Sequence, residues 1–102
     1  LIREEAYGKL MHMKVVVLYR PNSEHGRVVE DFIRDYKNRH EEGRLEILDI
    51  DSRDGSATAT LYGVMQYPAI LALRNDGSTL HMWEGETLPM MNEVAYYTFN
   101  QQ

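Results

Sequence analysis

The stretch 62–70 (YGVMQYPAI) marks the point at which a helical pattern gives way to a strand. On its N-terminal side a weak helical pattern ends near Gly63, because glycine is a poor helix former. On its C-terminal side, Ala69–Arg74 (AILALR) is predicted to form a strand. Asn75-Asp76-Gly77 follows as a hairpin signal, and residues 79–83 are predicted to return as an antiparallel strand.

Upstream of this stretch, the sequence predicts strands and helices in alternation. Residues 14–19 (KVVVLY) form an unbroken β-branched run, typical of a strand buried on both faces. Ser23 is the expected N-cap of the first helix and Gly43 its expected stop. The apolar residues of that helix recur at helical spacing and are Val28, Val29, Phe32, Ile33 and Tyr36. Residues 45–50 (LEILDI) are predicted to form a second strand, parallel to the first.

Two further helices complete the predicted architecture. Asp51 or Ser52 is expected to cap the second helix, which leads into the stretch 62–70. Gly85 ends the fourth strand, and Thr87-Leu88-Pro89 is expected to cap the last helix. The residues expected on the inner face of that helix are Met91, Val94, Ala95 and Thr98. The element order βαβαββα predicts an α/β fold, a mixed four-stranded sheet with helices on both faces.

This order, together with Tyr62-Gly63-Val64 and Tyr67-Pro68, resembles the thioredoxin family. In that family a Tyr-Gly-Val segment leads to a residue followed by a cis-proline that opens the third strand. Residues 74–78 (RNDGS) resemble the hairpin of the family. The resemblance covers nearly the whole chain and implies a thioredoxin-like fold for a domain spanning residues 13–102. Residues 1–12 (LIREEAYGKLMH) are expected to be a cloning-derived or flexible N-terminal segment.

The composition excludes several classes of function. The chain has 102 residues, enough for one domain, and its lack of cysteine excludes disulfides, thiolate metal sites and thiol redox chemistry. A net charge of −5 without a basic cluster argues against a nucleic-acid partner. No apolar run is long enough to span a membrane and no secretory signal is evident, so a cytoplasmic protein without a membrane partner is expected. The oligomeric state stays open.

No pattern of metal ligands stands out in the sequence. The four histidines show no ligand spacing, and a metal site is not expected. Asp49 and Asp51 lie two residues apart near the end of the second strand. Such a pair can bind a cation, but these carboxylates are expected to solvate the strand end and cap the next helix.

The resemblance places Ser23 and Gly26 where thioredoxins and glutaredoxins carry their two cysteines. A serine hydroxyl is too weak an acid to replace a thiolate, and glycine cannot resolve a mixed disulfide. Val17 and Asn22 stand where the family carries a buried acid and a tryptophan. The sequence therefore predicts a chain without disulfide oxidoreductase activity. It is not expected to be an enzyme, to contain a catalytic residue or to hold a cofactor.

The function implied by the resemblance is binding of a protein or peptide partner. The groove for this partner would lie between the loop 21–26 and Tyr67-Pro68. A cis-proline there leaves backbone groups of the preceding residue free to pair with an extended peptide. The predicted binding residues are Arg20, Pro21, Asn22, Ser23, Glu24, His25, Gly26, Tyr67 and Pro68.

An alternative function is the binding of glutathione. Residues 19–23 (YRPNS) also resemble the N-terminal motif of serine-type glutathione transferases, in which a loop serine activates the glutathione thiolate. Ser23 would then be the activating hydroxyl, and the backbone at Tyr67-Pro68 would pair with the tripeptide. The acidic-serine pair that grips the glutamyl end in that family is not evident in residues 76–86.

Overall fold

The computed structural model describes residues 13–40 and 44–99, which form four strands and three helices. The strands are β1 (Met13–Tyr19), β2 (Leu45–Asp49), β3 (Ala69–Arg74) and β4 (Thr79–Glu84). The helices are α1 (Gly26–Arg39), α2 (Arg53–Tyr62) and α3 (Met91–Phe99). The predicted order βαβαββα is confirmed. The predicted helix stop at Gly43 and the segment 1–12 lie outside the described residues.

The four strands form one mixed sheet in the order β2-β1-β3-β4. β1 runs parallel to β2 and antiparallel to β3, so Val17 pairs with Ile47 on one side and with Ile70 on the other. β3 and β4 are antiparallel, with a shift in register between Ala72 and Leu73. The mixed four-stranded sheet is therefore confirmed.

The register brings three segments together at one end of the sheet. Leu18, near the end of β1, pairs with Ala69 at the start of β3. Ala69 in turn pairs with Glu84 at the end of β4. The loop after β1, the residues before β3 and the segment after β4 therefore lie side by side.

The sheet separates two apolar clusters. Val15, Val17 and Tyr19 of β1 pack on one face, and Val16 and Leu18 pack on the other. All five side chains are buried, which explains why the run is unbroken rather than alternating. α1 and α3 contribute to the first cluster and α2 to the second. The prediction of helices on both faces is thus confirmed.

The start of α1 differs from the prediction. Its N-cap residue is His25 rather than Ser23, and no side chain within 13–40 and 44–99 caps the helix. The Ser23 hydroxyl instead donates to the carbonyl of Arg20 at 2.7 Å, and the Gly26 N–H donates to the Ser23 carbonyl at 3.1 Å. The predicted cap at Ser23 is wrong because a separate turn precedes the helix and uses this hydroxyl.

The ends of α2 agree with the prediction. The Ser52 Oγ accepts a hydrogen bond from the Gly55 N–H at 2.9 Å, a cap worth about 1 kcal/mol. The helix ends at Gly63, whose φ of 66° is left-handed and suits glycine. None of the helices in the described ranges has both the length and the apolar character needed to cross a membrane.

Candidate functional site

The side chains of Ser23 and His25 form hydrogen bonds within the loop between β1 and α1, both to the backbone of Arg20. The backbone N–H of Arg20 donates to Nε2 of His25 at 3.1 Å. The backbone carbonyl of Arg20 accepts from the Ser23 hydroxyl at 2.7 Å. Both backbone polar groups of Arg20 are therefore satisfied within the loop. This closure places His25, the last residue before α1, at a defined position beside the helix start.

Gly26 lies where the backbone of the loop passes closest to α1. A Cβ built on Gly26 would lie 2.2 Å from the carbonyl oxygen of Pro21, far inside van der Waals contact. The residue is buried and opens the helix. A side chain of any kind, cysteine included, needs a shift of the Pro21 backbone at this position.

A groove of about 290 Å³ lies between the start of α1, Pro68 and the segment after β4. Its lining residues are Glu24, His25, Val28, Val29, Pro68, Glu86 and Leu88. The apolar part consists of Val29 and Pro68, which are buried, the half-buried Leu88, and Val28, which is 55% exposed. The pairing of β1, β3 and β4 at this end of the sheet explains why three distant segments form one groove.

Pro68 is held in the groove wall by the strand pairing next to it. The Tyr67–Pro68 peptide bond is cis, and the Pro68 carbonyl accepts from the Gly85 N–H at 3.0 Å. Within residues 13–40 and 44–99, the backbone N–H and C=O of Tyr67 have no hydrogen-bond partner. Two backbone polar groups, two residues before β3, are therefore unpaired within these ranges.

The nine predicted binding residues separate into two groups. Glu24, His25 and Pro68 line the groove. The other six, which the structure places outside its lining, are Arg20, Pro21, Asn22, Ser23, Gly26 and Tyr67. The Tyr67 side chain packs against the apolar cluster on the α2 face. The Tyr67 side chain therefore lies on the α2 face of the sheet, away from the groove lining.

The sequence-based site omitted Val28, Val29, Glu86 and Leu88. The helical spacing predicts both valines on the buried face of α1, but only Val29 is buried. Adjacent residues on a helix differ by about 100° in direction, so both valines cannot face the core equally. The adjacency of two valines in a helix therefore indicates from the sequence that one of them, here Val28, is exposed near the helix start.

The Arg20 side chain turns away to the β2 side of the sheet. Its guanidinium binds the Asp51 carboxylate through two contacts, Nε–Oδ2 at 2.9 Å and a terminal amino group to Oδ1 at 3.0 Å. Hydrogen bonding to Arg20 lowers the pKa of the Asp51 carboxyl below its usual range. Both side chains are solvent-exposed, so this pair fixes geometry more than it stabilises the fold.

The Asp49 carboxylate serves the turn that follows β2. Its Oδ1 accepts a hydrogen bond from the backbone N–H of Asp51 at 2.8 Å. The backbone carbonyl of Asp49 accepts one from the Ser52 hydroxyl at 2.7 Å. In the part of the chain that the structure describes, no group of three or more His, Cys, Asp or Glu could hold a metal ion. The Asp49–Asp51 pair thus organises the strand end and the turn.

Comparison with known proteins gives evidence at the level of the fold. No family model matches the sequence, and no curated protein matches it. The Schistosoma mansoni thioredoxin pre-protein superimposes with a TM-score of 0.65 at 14% identity, over 97% of this chain and 89% of that chain. This chain has the thioredoxin fold. The Fasciola hepatica thioredoxin agrees, with a TM-score of 0.65 at 13% identity over 99% of this chain and 91% of that one.

A third structure of the thioredoxin fold supports the same assignment. Thioredoxin f2 of Chlamydomonas reinhardtii matches with a TM-score of 0.63 at 11% identity, over 95% of this chain and 87% of that chain. The resemblance seen in the sequence is therefore confirmed for the fold, in a chain that contains no cysteine. The groove beside Pro68 belongs to a thioredoxin-like domain whose loop carries Ser23 and Gly26.

Proposed function

We propose that this thioredoxin-like chain is a non-catalytic binding domain that holds an extended peptide segment of a protein partner in the groove beside Pro68. The observation that carries the proposal is the apolar lining of a groove of about 290 Å³. Val28 exposes 55% of its surface there although it belongs to a helix that packs on the core. Covering such a side chain with an apolar group of a ligand is favourable.

The open backbone of Tyr67 supports an extended rather than a helical ligand. Its N–H and C=O have no partner among the described residues and lie next to Pro68. An extended peptide that runs past Tyr67 can pair with both groups, in the manner of strand addition. The backbone pairing would supply affinity and the apolar lining would select side chains.

The loop chemistry supports binding rather than catalysis. The Ser23 hydroxyl donates a hydrogen bond to the Arg20 carbonyl at 2.7 Å, and that bond must break before Ser23 can donate to a thiolate. Gly26 offers no side chain and no room for one. Glutathione remains the alternative ligand. Ser23→Ala distinguishes the two functions, because it should abolish activation of glutathione and leave peptide binding nearly unchanged.

The test is an amide chemical-shift titration of the isotope-labelled chain, first with a mixture of extended peptides and then with reduced glutathione. The proposal expects saturable shifts with peptide at Val28, Val29, Tyr67 and Leu88. Shifts at residues 20–26 with glutathione alone, abolished in Ser23→Ala, would favour the glutathione function. No saturable shift at the groove with any peptide would refute the proposal.

A matched pair of variants tests whether the groove is the binding surface. Val28→Ser removes an exposed apolar side chain from the groove, and Leu61→Ser removes one from α2, where Leu61 is 73% exposed. Val28→Ser should weaken peptide binding by roughly fourfold, since covering the exposed half of a valine side chain contributes about 0.8 kcal/mol. Leu61→Ser should bind as the unmodified chain does. Equal loss in both variants contradicts the proposed surface.

A further inference from the structure

The two carboxylates of the groove are free to meet a ligand. Glu24 lies in the loop before α1 and Glu86 in the segment after β4, so the two segments that border the groove each contribute one. Both residues are exposed, and neither has a hydrogen bond or an ion pair within the described ranges. Of the residues that the structure describes, neither a lysine nor an arginine lines this groove. Within this lining, the negative charges of the two carboxylates therefore have no lysine or arginine to compensate them.

We infer that the groove selects a peptide with an apolar side chain flanked by lysine or arginine, an inference that rests on the proposed function. The apolar side chain would cover Val28, Val29 and Leu88. The flanking basic residues would place their charged ends at Glu24 and Glu86. Lysine and arginine suit this arrangement because their aliphatic stems can lie along apolar surface while their charged ends reach the carboxylates.

A second groove on the same face of the sheet provides a contrast in charge. It has about 350 Å³ and is lined by Tyr19, Glu30, Ile33, Arg34, Lys37 and Ile47. Its lining includes the cationic residues Arg34 and Lys37. Arg34 is paired with Asp31 at 3.1 Å and lies 3.7 Å from Asp35, so Lys37 supplies the unpaired positive charge among the described lining residues. The Glu30 carboxylate already accepts from the Tyr19 hydroxyl at 3.0 Å. A basic peptide is therefore expected to bind better at the first groove than at the second.

The whole-chain charge acts in the same direction. The formal net charge of −5 raises the local concentration of cationic peptides and speeds their encounter with the chain. This long-range attraction is screened by salt, whereas the apolar contact is not. Salt dependence thus separates the two contributions to binding.

The experiment uses short acetylated and amidated peptides that share a Val-Leu-Val centre. The flanking residue on each side is lysine, glutamine or glutamate, and affinities are measured by chemical-shift titration at low and at physiological salt. The lysine peptide is expected to bind most tightly and to lose affinity as salt rises. Glu24→Gln and Glu86→Gln should each weaken the lysine peptide by about two- to fivefold and leave the glutamine peptide unchanged.

The charge control is Asp54→Asn. Asp54 is an exposed carboxylate in the first turn of α2, on the opposite face of the sheet. Asp54→Asn changes the net charge of the chain by the same amount as Glu24→Gln. If both variants lose the same affinity for the lysine peptide, the inference is overturned. Shifts centred on Lys37 instead of Val28 would overturn it too.

The outcomes distinguish this inference from the proposed function. If the glutamine peptide binds at the groove as tightly as the lysine peptide, or the glutamate peptide binds more tightly, the preference for basic residues is wrong and the peptide groove stands. If none of the peptides shifts the groove amides, both the preference and the proposed function are overturned.

Discussion

His25 holds the loop after β1 in place, because its Nε2 accepts a hydrogen bond from the backbone N–H of Arg20 at 3.1 Å. His25 is also a wall residue of the groove and the N-cap residue of α1. The same imidazole therefore joins the end of β1 to the groove. Its Nε2 must be unprotonated to accept this bond, so Nδ1 carries the proton in the neutral ring.

Replacing His25 with alanine is expected to open this loop. The Arg20 N–H loses its partner, and the free energy of unfolding should fall by about 1 kcal/mol. Chemical denaturation measures that loss, and hydrogen exchange of the Arg20 amide should become faster. Asn22→Ala, at an exposed residue of the same loop, is the control. Unchanged exchange at Arg20 in His25→Ala would show that the imidazole does not protect this amide.

A side chain at Gly26 is expected to displace the loop. A Cβ would lie 2.2 Å from the Pro21 carbonyl oxygen, so Gly26→Ala must move backbone atoms. Such overpacking typically lowers the free energy of unfolding by about 1–3 kcal/mol. Amide shifts of residues 20–25 should change in the same variant.

The matched control for Gly26 is Gly63, which also adjoins a helix end. A Cβ at Gly63 would meet none of the described atoms within 4 Å, but its φ of +66° is unfavourable for other residues. Gly63→Ala should therefore cost about 1 kcal/mol and leave the amide shifts of residues 20–25 unchanged. A Gly26→Ala variant whose loop shifts and stability match the unmodified chain would contradict the close approach to Pro21.

A buried hydrogen bond joins the Tyr36 hydroxyl of α1 to the Thr98 hydroxyl of α3. Tyr36 is completely buried and Thr98 is 8% exposed. Thr98→Val strands the phenol group of Tyr36 in the core and should lower the free energy of unfolding by about 1–3 kcal/mol. Tyr36→Phe should cost less, since the Thr98 hydroxyl still donates to the Ala95 carbonyl at 3.2 Å.

The double variant tests whether these two hydroxyls interact. If they do, Tyr36→Phe combined with Thr98→Val should cost less than the two single losses added together. Thermal or urea unfolding of the four proteins gives the comparison. Strict additivity would mean that the two hydroxyls make no energetic contact.

The Arg20–Asp51 pair predicts a specific change in acid titration. Hydrogen bonding to Arg20 is the main cause that lowers the pKa of the Asp51 carboxyl. Arg20→Gln should return that pKa to the ordinary range, as followed by the carboxyl carbon shift during titration. Because the folded-state pKa is lowered, the stabilisation by this carboxylate is present above about pH 4 and is lost as the pH falls through the lowered pKa.

Asp76 is the internal control for this titration. Its pKa is lowered mainly by the backbone N–H of Ser78, which donates to Oδ1 at 2.9 Å. Arg20→Gln should leave the Asp76 titration unchanged. An unchanged pKa of Asp51 in Arg20→Gln, or an equal rise in both residues, would contradict the contribution of the ion pair.

Local chemistry explains which elements could be predicted. Ala69–Arg74 was predicted with its observed bounds because an apolar run with a hairpin signal after it leaves few alternatives. The sequence narrows the start of α2 to a cap at Asp51 or Ser52 and places its end near Gly63, for reasons confined to one helical turn, and the structure shows Ser52 as the cap. The predicted N-cap at Ser23 is wrong because a hydroxyl before a helix can also donate to a preceding carbonyl, as the Ser23 hydroxyl does to the carbonyl of Arg20.

The sequence by itself determines the order of the elements, the unbroken central strand and the absence of a thiol. Each of these depends on residue identity and on spacing within a few positions. Only the tertiary structure decides that Arg20 turns to Asp51 and that Glu24 and Glu86 border one groove. Those positions follow from the register that sets Leu18 and Glu84 on either side of Ala69, a relation between residues far apart in the chain.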